Sequence, residues 1–87
     1  MSLKFNYDYT YAILDDVLEE RRRQFNKWGQ QDHDEDRWMV ILMEEVGECC
    51  KAIQEEDPAN YREELIQVAA VAVAAVEAFD RKFGDES

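Results

Sequence analysis

Residues 65 to 76 read LIQVAAVAVAAV, a row of twelve in which Gln67 is the only polar side chain. Twelve residues fall short of a bilayer span. On a helix they leave no polar side, and a helix that is apolar all round must be buried all round. Two companion helices in a small domain cannot cover every face, so the block implies a subunit interface, with its alanines permitting close approach. The rest of the chain has to be organised around that helix.

The remaining pattern is helical too. Along residues 9 to 28, Ile13, Leu14, Val17, Leu18, Phe25 and Trp28 recur at steps of three, four and seven, with ERRR at 20 to 23 facing out; Gly29 is a natural C-terminal cap. The polar run QQDHDED at 30 to 36 reads as a loop in which Asp34 or Asp36 caps a second helix over 36 to 56. That helix carries a core stripe of Trp38, Leu42, Val46, Cys49 and Ile53, with Met39 and Ala52 beside it. Asp57 followed by Pro58 starts a third helix that ends near Phe83, with Tyr61, Leu65, Val68, Ala72, Phe79 and Phe83 on one face. No strand is needed. The expected fold is all-α: one domain over 1–87, a three-helix protomer of antiparallel helices, and a bundle completed by oligomerisation into a homodimer or tetramer.

Composition narrows the function. A net charge of −11 argues against a nucleic-acid backbone as partner, because phosphate neutralisation needs clustered Lys and Arg, and it fits cations better. MSLKFNYDYTY lacks the basic start and apolar core of a signal peptide, and no run is long enough for a membrane. Cys49 and Cys50 are adjacent, a poor arrangement for pairing with each other, and no Cys/His metal spacing is present. A protein with reduced thiols in the cytoplasm is expected.

The second helix interrupts its apolar stripe with LMEEVGE. Residues three or four apart are helix neighbours, so Glu45 and Glu48 lie side by side at the edge of the buried face, with Glu44 next to Glu48. On the third helix Glu64 and Gln67 repeat the spacing. Two such pairs on adjacent antiparallel helices can converge, and their like charges then repel unless neutralised. A divalent cation with hard oxygen ligands, Mg²⁺ or Mn²⁺, answers that. The competing reading is that these glutamates pair with Arg or Lys, or face water. A di-iron bundle fails because the sole histidine, His33, lies in a loop. Asp32-x-Asp34-x-Asp36 imitates an EF-hand opening, but Arg37 and Met43 stand where Gly and Glu are required.

At these residues the chain resembles the MazG-like all-α nucleoside triphosphate pyrophosphohydrolases, whose mark is EExxE on one helix and ExxD on the next. Glu44-Glu45-Val46-Gly47-Glu48 matches the first motif, Glu64-Leu65-Ile66-Gln67 sits where the second belongs, and ERRRQFNKWGQQDH looks like the family's first helix and loop. The likeness covers about 19 to 80. It implies that Glu45, Glu48 and Glu64 ligate Mg²⁺, with Glu44 a further ligand or the group that orients the attacking water. It also implies hydrolysis of a (d)NTP to a monophosphate and pyrophosphate. Gln67 replaces the family's aspartate with a neutral amide whose oxygen still suits a hard cation, so a non-catalytic Mg²⁺-nucleotide module and a structural helical oligomer stand as alternatives. For the base, the resemblance points to Asn26, Lys27, Trp28 and Trp38, against a plain core role for the tryptophans; Lys51, one turn after Glu48, is placed either to meet a phosphate or to face solvent as a surface lysine.

Overall fold

A computed structural model describes residues 3–84, and among them all regular structure is helical: α1 (Tyr7–Trp28), α2 (Glu35–Gln54) and α3 (Pro58–Phe83). Each start has a side-chain cap. Asn6 Oδ1 accepts from the Tyr9 N–H at 3.0 Å, Asp34 Oδ1 from the Arg37 N–H at 3.0 Å, and Asp57 Oδ1 from the Asn60 N–H at 3.2 Å. Gly29 ends α1 at φ 72°, and its N–H donates to the Phe25 carbonyl at 2.7 Å. The first helix starts two residues before the expected position because Asn6 offers a cap. The second stops short of 56 because Glu56 turns into the left-handed region at φ 54°, letting the Asp57 N–H reach the Ala52 carbonyl at 3.0 Å.

The tight link over 55–57 lays α3 back against α2, and Trp38 near one end of α2 packs on Val71, Ala74 and Ala78 of α3. α1 packs on α3 as well, yet no Cα of α1 comes within 8 Å of one in α2. Three ion pairs pin α1 and the loop after it to α3: Asp16 with Arg62 at 2.8 Å, Arg21 with Glu77 at 2.6 Å and Asp32 with Arg81 at 2.8 Å. Both partners advance along the chain together. α1 therefore runs in the same sense as α3, and α2 runs against it; antiparallel packing holds for the α2–α3 pair and not for α1–α3.

The buried face of α3 differs from expectation. Ala70, Val71, Ala74 and Ala78 are buried, while Leu65, Phe79 and Phe83 of the expected stripe are exposed and Tyr61 and Val68 are half-buried. The physical reason is distance of approach: small side chains let two helices approach α3, and the bulky ones are turned away. α2 buries Trp38, Cys49 and Ala52 but leaves Ile53 exposed. α1 buries only Val17, and Ile13, Leu14, Leu18, Phe25 and Trp28 are exposed, because α1 packs on α3 less extensively than α2 does. The radius of gyration is 15.1 Å, against about 12 Å for a compact domain of this length. No helix among the described residues is long and apolar enough to cross a membrane.

Glu56 holds a conformation that side chains with a Cβ disfavour, and glycine adopts it freely. Glu56→Gly is expected to stabilise the fold by about 0.5–1 kcal/mol, net of the added freedom of the unfolded chain. The check is the urea midpoint, with Glu56→Ala as a control that shows no such gain.

Candidate functional site: an acidic cleft between the first two helices

Because α1 and α2 pack on α3 without meeting, a cleft of about 180 Å³ opens between them. α3 contributes Gln67, Val71 and Ala74 to it, α1 contributes Arg23, Gln24 and Trp28, and α2 contributes Trp38, Ile41 and Glu45; Gln31 comes from the loop. Trp38 and Gln31 are shared with a second cavity of about 420 Å³, lined also by Arg21, Phe25, Glu77 and Arg81. Trp38 is 5% exposed, and its indole Nε1 is buried without a hydrogen-bond partner.

Glu45 lines this cleft, and carboxylates from all three helices lie near enough to act on its charge. Glu45 is half-buried, and its Oε2 is buried with no hydrogen-bond partner. Its pKa is raised first by burial and then by the charges of Glu64, Glu48, Glu20 and Glu44. Glu64 is raised in the same way, by burial first, then by Glu48, Glu63 and Glu20. None of Glu44, Glu45, Glu48 and Glu64 forms an ion pair among the described residues. Pairing with Arg or Lys does not account for them.

Glu20 is the exception. Its two oxygens accept from Arg23 Nε at 2.9 Å and Nη2 at 2.7 Å, and Gln24 Nε2 adds a bond at 3.3 Å. The Glu20 side chain is 13% exposed and the Arg23 side chain 53%. Glu20 holds the guanidinium at the cleft, where Glu45 also acts on it; the hydrogen bonds with Glu20 dominate the rise in its pKa.

The donor set of Glu20, Glu45, Glu48, Glu64 and the Gln67 amide offers oxygen alone, the chemistry a hard divalent cation takes, and Glu45 Oε2 is an orphaned buried acceptor. As they stand, no three Asp, Glu, His or Cys side chains among the described residues could hold a metal ion. Side-chain rotation would have to draw them in, against a repulsion that protonation or a bound cation relieves.

Of the residues expected from the sequence, Glu45, Gln67, Trp28 and Trp38 line the cleft, and Glu48 and Glu64 are half-buried and act on the same charges. Glu44, Asn26, Lys27 and Lys51 are exposed and do not line it. Lys27 lies over the Trp28 ring, 4.6 Å from its centroid. Glu20, Arg23, Gln24 and Gln31 were not foreseen. Their signal was present in Glu20-x-x-Arg23, an i, i+3 pair, but ERRR reads as a solvent face. Compared with protein-family models, curated proteins and solved structures, the chain finds no significant match, so the family resemblance rests on its motif residues.

The raised pKa values of Glu45 and Glu64 mean that the folded state holds these protons more tightly than the unfolded chain does. Their favourable contribution to stability is complete below the ordinary carboxylate value of 4.5 and is lost as pH rises through the higher folded values. Metal-free Glu45→Gln is therefore expected to gain stability over the parent above that window and to lose the advantage below it. Paired thermal melts from pH 4 to 8 in chelator test this; a constant offset across the range would remove Glu45 from the charge cluster.

Proposed function

We propose that the protein is a Mg²⁺-dependent nucleoside triphosphate pyrophosphohydrolase, converting a (d)NTP to a (d)NMP and pyrophosphate as part of nucleotide-pool clearance, and that it works as a homo-oligomer. The observation that supports it best is Glu45: a half-buried carboxylate with an unpartnered oxygen, in the field of four other carboxylates, in the wall of a cleft flanked by two tryptophans. Uncompensated negative charge of this kind costs stability, and a bound cation converts the cost into binding.

Glu45, Glu48 and Glu64 would hold the ion, with the Gln67 amide oxygen as a neutral fourth donor. Mn²⁺ has the same donor preferences and is an expected substitute. When bound, Mg²⁺ supplies positive charge to the phosphate oxygens and lowers the pKa of a water near them. The chain does the rest. Arg23, braced by Glu20, presents a guanidinium to the phosphates at the cleft wall. Trp28 offers a ring face to the base, while the Trp38 N–H has a donor to give to a ring carbonyl. Glu44, Asn26, Lys27 and Lys51 are exposed and have their roles by resemblance alone.

The alternative of a module that binds Mg²⁺-nucleotide without turnover is favoured by one observation, the neutral Gln67 beside Glu45. Incubation with Mg²⁺ and a panel of dNTPs, followed by pyrophosphate detection, separates the two. Product supports the enzyme, and saturable binding without product supports the module. In the enzyme, Glu48→Gln or Glu64→Gln is expected to lower turnover by about 100-fold or more, the scale of removing one electrostatic stabiliser. Gln67→Asp should melt earlier than the parent in chelator and gain more from Mg²⁺. Equal destabilisation with and without the ion would make Gln67 a structural amide.

A further inference from the structure

The side of α3 facing neither α1 nor α2 is apolar along most of its length. Leu65, Ala69, Ala72, Val76, Phe79 and Phe83 follow one another at steps of 4, 3, 4, 3 and 4, and the large ones are between 43 and 58% exposed. At 100° per residue this seam lies roughly opposite Ala74, the middle of the buried face. The spacing is that of positions a and d in a heptad, the pattern by which one helix meets another. In a chain with 36% charged residues, no charge falls on the seam.

The area is in excess as well. The protein exposes 6883 Å², against about 5,400 Å² expected of a compact monomer of 10.3 kDa. The surplus of about 1,500 Å², spread over the whole chain, leaves room for the roughly 800 Å² that each partner contributes to a stable complex of standard size.

We infer that this seam is the contact surface for a second copy of the chain, α3 against α3 in antiparallel sense about a twofold axis through Ala72. The size gradient along the seam selects this direction. Small residues sit at the centre and the phenylalanines at one end, so reversal sets Phe79 of one copy against Leu65 of the other and Val76 against Ala69. Ala72 meets Ala72. Reversal also opposes the two helix macrodipoles. A lipid surface suits the seam less well, because a net charge of −11 is repelled by anionic headgroups. This inference specifies the self-association proposed above and is independent of the hydrolysis.

Sedimentation at micromolar concentration, with pyrophosphate release followed in parallel, tests it. The parent chain is expected to sediment at twice 10.3 kDa or a higher even multiple. Val76→Glu/Phe79→Glu, at two positions more than half exposed within the protomer, should lose that association and keep its helical circular dichroism; Met43→Glu, 61% exposed on α2, should keep both. In a Cys50→Ser background, oxidation should crosslink Ala72→Cys to itself and leave Phe83→Cys uncrosslinked. A monomeric parent chain sinks both the self-association and the seam. An oligomer indifferent to Val76→Glu/Phe79→Glu overturns the seam alone, and crosslinking of Phe83→Cys overturns the antiparallel sense. Absence of pyrophosphate bears only on the hydrolysis.

Discussion

Everything in the protomer passes through α3. α1 and α2 have no Cα approach within 8 Å, so the cleft, the core and the position of the acidic side chains depend on how closely two helices can lie on a third. Small side chains set that distance. Ala70, Ala74 and Ala78 are buried, and Val71 and Trp38 fill what they leave open. A larger residue at Ala74 would lift Trp38 and widen the cleft at its floor, coupling a packing change in the core to the geometry of the site.

The charges divide the same way. Arg62, Arg21 and Arg81 are committed to Asp16, Glu77 and Asp32, contacts that fasten α1 and its loop to α3. The two exposed pairs, Arg62–Asp16 and Arg81–Asp32, contribute little each. Their effect here is that they occupy cations elsewhere and leave Glu45, Glu48 and Glu64 without an ion pair among the described residues. Arg23 is the one cation lining the cleft, and Glu20 already holds it. With three arginines committed elsewhere and Arg23 held by Glu20, burial and like charge together raise the pKa values of Glu45 and Glu64.

Much of this was legible from the sequence where side chains act locally. Asp34, Asp57 with Pro58, and Gly29 announced helix ends because capping is a property of four or five neighbouring residues. Glu45, Glu48, Glu64 and Gln67 could be read as two facing pairs because i, i+3 spacing fixes their side of each helix. The buried stripe of α3 was misread for the opposite reason. A helix apolar on all sides has no contrast for periodicity to detect, and the choice between its faces was made by close approach, not by hydrophobicity. Glu20 was missed because its membership of the cluster depends on where α1 crosses α3, a tertiary fact that a run of ERRR does not carry.

The three-residue link between α2 and α3 has a kinetic meaning. Closing so short a loop costs little chain entropy, and the contacts it enables, Trp38 on Ala74 and Ala78 at the far end, form by zipping from the turn. α1 has to be brought in over a greater sequence distance, and it is held by one buried valine and a set of ion pairs that salt weakens. The helical hairpin of α2 and α3 is therefore expected to assemble before the first helix docks on it. Since the cleft has α1 as one wall, the site is complete only while that helix is docked on α3.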